Sequence, residues 1–270
     1  MLKSATLAAL AAALILAACQ SQPNLSPTVE RPRGSGLAQG IDLPTDASDV
    51  LGEIKGTPLH FVARYYREPT SRWPTLSGAE VQRLSSLGIN IVAIWESHSH
   101  RPDYFSYASG YSDALSAARQ ARAVAQPPGS AIYFAVDFNA RGAELPQVDQ
   151  YFRGVAAGLA AVGKGKAEYR VGVYGSGSVC DAVKRAGLAQ YSWLSGSRAW
   201  IGSSGYTGWN IRQGTRFAQL SFNHDANEAK GDYGGFRLAG SSSTRAADAA
   251  SSPETPQSDQ RVAAAINPPL

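Results

Sequence analysis

Apolar runs and mixed, periodic segments alternate along the central part of the chain. Runs rich in β-branched and aromatic residues predict strands at residues 40–43, 59–66, 89–96, 131–138 and 170–174. Between them, helical periodicity predicts helices at residues 77–88, 114–125, 146–159 and 179–186. Because parallel strands need a long crossover between them, this repeated strand–helix order predicts a parallel sheet.

Two of the predicted helices carry boundary signals. Ser77 and Glu80 match a capping box, in which the hydroxyl accepts a hydrogen bond from the third helical residue. Gly88 supplies the left-handed conformation that ends many helices. Pro146 suits a first helical position, because the N–H that proline lacks has no intrahelical partner there.

The pattern changes after Gly187, where strand-like runs follow one another without helices. These runs are residues 191–194, 199–201 and 217–222, and the Gly-rich stretch 202–214 is interpreted as a loop. Five strand–helix units and three further strands make eight, the number that closes a barrel whose interior side chains fill. The predicted fold is α/β, a single TIM-like β/α barrel with about five helices and helix-poor last strands. An open doubly wound sheet is the alternative.

The N-terminal region has the features of an exported lipoprotein. Lys3 precedes an apolar run at residues 7–18 that is too short for a stable transmembrane helix, so residues 1–18 are predicted to be a signal peptide. The Leu-Ala-Ala-Cys sequence that ends at Cys19 resembles a bacterial lipobox, which predicts lipidation of Cys19 and anchoring to a membrane. The alternative is a secretory signal with an incidental cysteine.

Composition sets the remaining boundaries. Residues 19–38 are rich in Pro, Ser and Gly and predict a tether, residues 39–238 hold the barrel, and residues 239–270 predict a polar tail. We therefore expect a protein of the bacterial cell envelope that faces outside the cytoplasm, on the outer membrane if the organism has one. Once Cys19 is lipidated, only Cys180 remains, and it is expected to be a buried small hydrophobe.

The charge of the chain limits the classes of partner that it is expected to bind. The chain has 270 residues, 44% of them hydrophobic, and a net charge of +4. The small net charge and the lack of a Lys/Arg run argue against a nucleic-acid partner. The segment from Glu96 to His100, with Asp103 nearby, could supply metal ligands, but a polar loop over a cleft is favoured. We expect a monomer without cofactor or metal.

Four carboxylates stand at the ends of otherwise apolar strands: Asp42, Glu96, Asp137 and Asp225. Such a position is unfavourable unless the carboxylate is hydrogen-bonded or has a role in binding or catalysis. The four together therefore predict one shared acidic cleft with catalytic residues. The alternative is that each caps a helix or pairs with an arginine. Aromatic residues nearby suit a carbohydrate ligand, because sugar rings stack on them. Predicted substrate contacts are Arg64, Tyr65, Trp95, Asn139, Tyr174, Trp200, Gln219 and Asn227.

The order of several short motifs resembles a known family. These motifs are Gly-Ile-Asp at 40–42, an aliphatic residue followed by Asp137, Val-Gly-Val-Tyr at 171–174, Ala-Trp-Ile at 199–201, and Gln-Leu at 219–220 followed by Asp225. Together they resemble the family-twenty-five glycoside hydrolases, the muramidase-type lysozymes. They are more similar still to a glycoside-hydrolase-like domain first described from a mycobacterial secreted protein. The resemblance covers residues 39–237 and implies a β/α barrel with five helices and helix-poor final strands.

The resemblance also implies a function and one departure from it. Asp42, Asp137 and Asp225 match acidic residues of the lysozyme cleft, and residues 137 and 139 are expected to share one strand face. At Asn139 the lysozymes have the glutamate that protonates the leaving oxygen, and an amide cannot act as that acid. Glu96 is the candidate replacement; alternatively, Asn139 orients an acetamido group and Asp137 is the acid.

Two functions follow from these residues. The first is an exported lipoprotein that hydrolyses glycosidic bonds of peptidoglycan, with Asp42 and Asp137 central. The alternative is a non-catalytic glycan-binding or envelope-assembly lipoprotein that has lost its general acid.

Overall fold

The computed structural model describes residues 36–214 and 220–239. The predicted signal peptide, Cys19 and Gln219 lie outside these ranges and stay predictions. Within the described ranges, no helix has the length and apolar character needed to cross a membrane.

In the described residues, eight strands form a closed barrel, and five α-helices accompany them. The strands are β1 (Ala38–Asp42), β2 (Phe61–Tyr66), β3 (Asn90–Trp95), β4 (Ala131–Ala135), β5 (Arg170–Gly175), β6 (Tyr191–Leu194), β7 (Ile211–Gln213) and β8 (Asp225–Ala229). The helices are α1 (Leu51–Lys55), α2 (Gly78–Ser86), α3 (Tyr107–Ala123), α4 (Glu144–Val162) and α5 (Gly177–Arg185). The predicted barrel with about five helices and helix-poor last strands is confirmed.

The last strand runs against the others. Strands β1 to β7 pair with their neighbours in parallel, whereas β8 is antiparallel to both β7 and β1. The parallel sheet predicted for the strand–helix units is present in β1 to β5, and β8 departs from it. An antiparallel partner needs no helical crossover, which explains why no helix lies between β7 and β8 in the described residues.

The positions of the last two strands also differ from those predicted. Residues 199–201 form a turn, in which the Trp200 N–H donates to the Ser197 carbonyl (3.0 Å). The seventh strand is instead Ile211–Gln213, inside the stretch interpreted as a loop. Of the predicted strand 217–222, the described residues 220–222 form no strand. The three-residue β7 has too little apolar pattern to be recognised alone, and its pairing with β6 and β8 defines it.

The helix signals at α2 are only partly used as predicted. The Ser77 hydroxyl accepts the Glu80 N–H (3.1 Å), and Gly88 has a φ of 72°, so both helix ends form as expected. The Glu80 side chain does not return to the helix start to complete the capping box. It binds Arg64 of β2 and the Ala47 N–H instead.

Side chains alternate between two apolar layers along each strand. One set faces the barrel interior and packs together, for example Phe61, Ile94, Tyr133 and Trp193. The other set faces outward and packs against the helices. Cys180 lies in this outer layer and is fully buried, as expected, and burial raises the pKa of its thiol to about 12.

An ion pair is buried between β2 and α2. The Arg64 Nε lies 2.5 Å from a Glu80 carboxylate oxygen, and neither side chain is exposed to solvent. A second Arg64 nitrogen donates to the Leu43 carbonyl (2.8 Å), and Glu80 also accepts the Ala47 N–H (2.8 Å). The pair therefore fixes α2 and the segment after β1 to the outside of the barrel.

Breaking this pair should destabilise the protein strongly. Glu80→Ala leaves the Arg64 charge buried without its partner, and we expect a loss of about 3–5 kcal/mol in the free energy of unfolding. Chemical denaturation followed by circular dichroism measures it. Asp103→Ala, which removes the exposed pair with Arg101, is the control and should change stability little. Equal effects of the two substitutions would contradict the assignment.

Candidate active site

A cavity of about 250 Å³ opens at the end of the barrel where the parallel strands finish. Its lining comes from all eight strands or the residues just after them: Asp42, Tyr65, Ile94, Glu96, Ala135, Asp137, Tyr174, Trp193, Gln213 and Asp225. The four carboxylates that sequence reasoning selected thus meet in one place.

Strand alternation explains why these residues converge. Tyr65 lies two residues after the inward-facing Ala63 of the same strand, so it faces the interior, and Asp137 lies two residues beyond Ala135, the inward-facing last residue of β4. Asp225 reaches the same rim for a different reason. It is the first residue of the antiparallel strand β8, and in the register of the barrel it lies opposite Asp42, the last residue of β1.

Asp42 is buried and held by three donors. One carboxylate oxygen accepts the Tyr65 hydroxyl (2.7 Å), and the other accepts the side-chain amides of Asn227 (2.7 Å) and Gln213 (3.2 Å). The Asn227 amide has a defined orientation, because its oxygen accepts the indole N–H of Trp193 (2.9 Å). Burial, with a smaller contribution from the charge of Asp225, raises the pKa of Asp42 to about 6, although the three hydrogen bonds oppose the rise.

Glu96 and Asp137 have fewer donors than Asp42. Burial raises the pKa of Glu96, and the nearby charges of Asp137 and Asp42 add to the effect, while Arg67 opposes it from 3.4 Å. Burial also raises the pKa of Asp137, and His100 opposes that rise. These carboxyl groups are therefore easier to protonate than ordinary ones, which a general acid requires.

The predicted substrate contacts divide between the two faces of the strands. Tyr65 and Tyr174 line the cavity, and Asn227 lies beneath it as a buried ligand of Asp42. Arg64 and Trp95 do not reach it, contrary to the prediction. Each is next to an inward-facing residue, so it faces outward; Arg64 binds Glu80, and Trp95 is only 2% exposed among the helix-facing core residues.

Asn139 and Trp200 also lie outside the cavity lining. Strand β4 ends at Ala135, so residues 137 and 139 do not share a strand face as expected. The Asn139 side-chain oxygen instead accepts the N–H of Ile201 (2.9 Å), in the turn that contains Trp200. Asn139 therefore holds the loop between β6 and β7, and its amide is engaged away from the carboxylates.

The loop after β3 is polar and lies beside the carboxylates. The Ser99 carbonyl accepts the Asp137 N–H (2.8 Å), and His98 lies 3.6 Å from Glu68 and packs edge-on against Tyr104. Within the part of the chain that the structure describes, no three His, Cys, Asp or Glu side chains are grouped to hold a metal ion.

Four residues of the cavity lining, Ile94, Ala135, Trp193 and Gln213, were not among the predicted site residues. Gln213 lies in the stretch interpreted as a loop, and Trp193 lies in the predicted strand 191–194. Ile211 and Gln213, like Tyr191 and Trp193, are two residues apart and face inward, and this spacing was the available signal.

Comparison with known proteins places this barrel in a family. A family model described as "Rv2525c-like, glycoside hydrolase-like domain" matches residues 52–236. The chain belongs to this family. Asp42 lies ahead of the matched segment, whereas Glu96, Asp137 and Asp225 lie within it.

Solved structures share the fold of this glycoside hydrolase-like domain. The Tat-secreted protein Rv2525c of Mycobacterium tuberculosis, crystallised in complex with HEPES, has a TM-score of 0.57 and 19% identity, over 75% of this chain and 99% of that one. The modular autolysin LytC of Streptococcus pneumoniae has a TM-score of 0.50 and 12% identity, over 74% of this chain and 48% of LytC. At such identities the likeness shows the fold.

Two curated relatives of the glycoside hydrolase-like domain come from Bacillus subtilis (strain 168). Uncharacterized protein YbfG is 31% identical over 131 residues, which are 47% of this chain and 18% of YbfG. Uncharacterized protein FadG is 29% identical over 177 residues, which are 64% of this chain and 30% of FadG. The chain thus spans less than a third of the length of either relative.

Replacing Asn139 should affect the loop rather than the chemistry of the carboxylates. Asn139→Ala removes the acceptor for the Ile201 N–H, and we expect a loss of about 1 kcal/mol in unfolding free energy. Asn139→Asp keeps an acceptor and is the matched control. Amide hydrogen exchange at Ile201 measures the bond directly, and equal protection in the alanine and aspartate variants would contradict this role.

The buried Asp42 should make stability depend on pH. Its pKa is raised in the folded protein, so the folded state holds the proton more tightly, and stability falls as pH rises from about 4 to about 6. Asp42→Asn removes this dependence, and at pH 7 the variant should be more stable than the wild type by about 3 kcal/mol. Denaturation at several pH values measures the difference. A difference that stays constant from pH 3 to pH 7 would count against it.

Proposed function

We propose that this chain is an exported lipoprotein that hydrolyses glycosidic bonds of peptidoglycan at the mouth of its barrel. The observation that carries the proposal is the meeting of four carboxylates, in unlike environments, in one cavity of a glycoside hydrolase-like domain. Glycosidases of this kind need one carboxyl group that donates a proton and another that is ionised.

The environments of Asp42 and Glu96 support different roles. Asp42 accepts three hydrogen bonds, which favour its ionised form, and this suits stabilisation of the positive charge that develops on the sugar ring. Burial and two nearby carboxylates raise the pKa of Glu96, while Arg67 opposes the rise from 3.4 Å, so Glu96 is easier to protonate than an ordinary glutamate. We assign Glu96 as the acid that protonates the leaving oxygen.

Asp137 and the aromatic walls complete the proposed site. Asp137 influences the pKa of Glu96 and lies where it can orient the reacting sugar or the attacking water. Tyr65 and Tyr174 line the cavity, are partly exposed and offer surfaces for the apolar face of a sugar ring. The cavity of about 250 Å³ is of a size to take one sugar unit rather than a long chain segment.

The proposed location rests on the N-terminal sequence. Residues 1–18 would be removed, Cys19 would carry the lipid, and residues 19–38 would tether the barrel at 39–238, with residues 239–270 as a tail. Membership in a family named after a Tat-secreted protein supports export. The anchor would keep the cavity close to the cell wall, which is the source of the proposed substrate.

Substitution of the assigned acid tests the proposal. With the full chain and purified peptidoglycan, release of reducing ends by Glu96→Gln should fall by at least about 100-fold, because general acid catalysis contributes that much. Glu168→Gln, which alters an exposed carboxylate paired with Arg122, is the control and should keep full activity.

The pH profile gives a second readout. Since Asp42 must be ionised and its pKa is about 6, the rate should rise with pH through that value. A wild-type protein that pellets with peptidoglycan but releases no reducing ends would favour the non-catalytic alternative. A protein that neither binds nor cleaves would overturn both and leave envelope assembly.

A further inference from the structure

Gln213 lies between two carboxylates that would otherwise repel each other. Asp42 and Asp225 are directly opposite on β1 and β8, and like charges in such a pair are destabilising. The Gln213 amide nitrogen donates to Asp42 (3.2 Å) and to Asp225 (3.1 Å). An amide nitrogen carries two hydrogens, one for each carboxylate.

The orientation of this amide is determined by its other end. The Gln213 side-chain oxygen accepts the N–H of Gly196 (3.1 Å) and the hydroxyl of Tyr174 (2.9 Å). A backbone N–H can only donate, so the oxygen must face Gly196 and the nitrogen must face the carboxylates. All four hydrogen-bonding positions of the amide are thus occupied.

Neighbouring donors make the arrangement one connected network. Asn227 pairs with Gln213 in the β7–β8 register and donates to the same Asp42 oxygen, and its own orientation is determined by the Trp193 indole. Asp42 therefore faces amide donors on one oxygen and the Tyr65 hydroxyl on the other. None of the amide donors can turn to accept a proton from Asp42 without losing a bond at its other end.

We propose that Gln213 is a positioning residue, which holds Asp42 and Asp225 together as hydrogen-bond acceptors and so keeps Asp42 ready for the reaction. This inference rests on the proposed function for its catalytic meaning. The network itself is independent of turnover, so the two can be tested separately.

Two substitutions separate the donor role from packing. Gln213→Glu keeps the size of the side chain and an acceptor for Gly196 and Tyr174, but it replaces the donor with a third carboxylate. Gln213→Leu removes both the donor and the acceptor of the side chain. Gln190→Leu is the control, because Gln190 is another amide with a backbone partner, the Val171 N–H (2.9 Å), at the opposite end of the barrel.

NMR titration of carbon-13-labelled aspartate carboxyls in the full chain measures the pKa of Asp42 without any substrate. The pKa of Asp42 should rise by about one pH unit in Gln213→Leu and further in Gln213→Glu, and it should stay at the wild-type value in Gln190→Leu. An unchanged value for Asp42 in both folded Gln213 variants would overturn the inference.

Kinetics then connect the network to catalysis. On peptidoglycan, the acid limb of kcat/KM should move to higher pH by the same amount, with about a tenfold loss at pH 5. If the NMR shift is seen but the wild type shows no hydrolysis, the proposed function fails and the positioning of Asp42 stands. If hydrolysis is present and its acid limb does not move with the NMR value, Gln213 has no positioning role in the reaction.

Discussion

The antiparallel strand β8 is the constraint on which the rest of the structure depends. It pairs with β7 on one side and β1 on the other, so it removes both free edges of what would be an open sheet. Because β8 is antiparallel, its N-terminal end lies at the cavity. A parallel strand would bring its last residues to the rim, whereas β8 brings its first residue, Asp225, opposite Asp42. The same strand therefore closes the barrel and completes the acidic site.

The sequence predicts much of this fold, because most of its signals are local. Residues 191–194 are predicted and observed as a strand, and Ser77 and Gly88 define the ends of α2 through backbone geometry that nearby residues determine. Strand β7 is different, because three residues with one apolar side chain have no periodicity of their own. Its identity comes from hydrogen bonds to strands that are remote in sequence, and no local signal reports such bonds.

The sequence also predicts part of the candidate site. Carboxylates at strand ends could be recognised because burial of an unused charge is unfavourable, and this reasoning found Asp42, Glu96, Asp137 and Asp225. The direction of each side chain could not be read without the strand register. Arg64 therefore appeared beside Tyr65 as a second ligand contact, although adjacent strand residues face opposite sides. Asn139 was misplaced because β4 ends at Ala135, and the chain after it turns toward the β6–β7 loop.

The adjacency of Arg64 and Tyr65 has a consequence for how sequences of this kind can change. One residue supports the outer shell through Glu80, and the next completes the hydrogen bonding of Asp42. Insertion of a single residue upstream within β2 would move Arg64 to the place of Tyr65, among the carboxylates, and Ala63 to the place of Arg64, against Glu80. Both the support of α2 and the acidic site would be lost together. We therefore expect this chain to tolerate substitutions within β2 but not a change in the number of its residues.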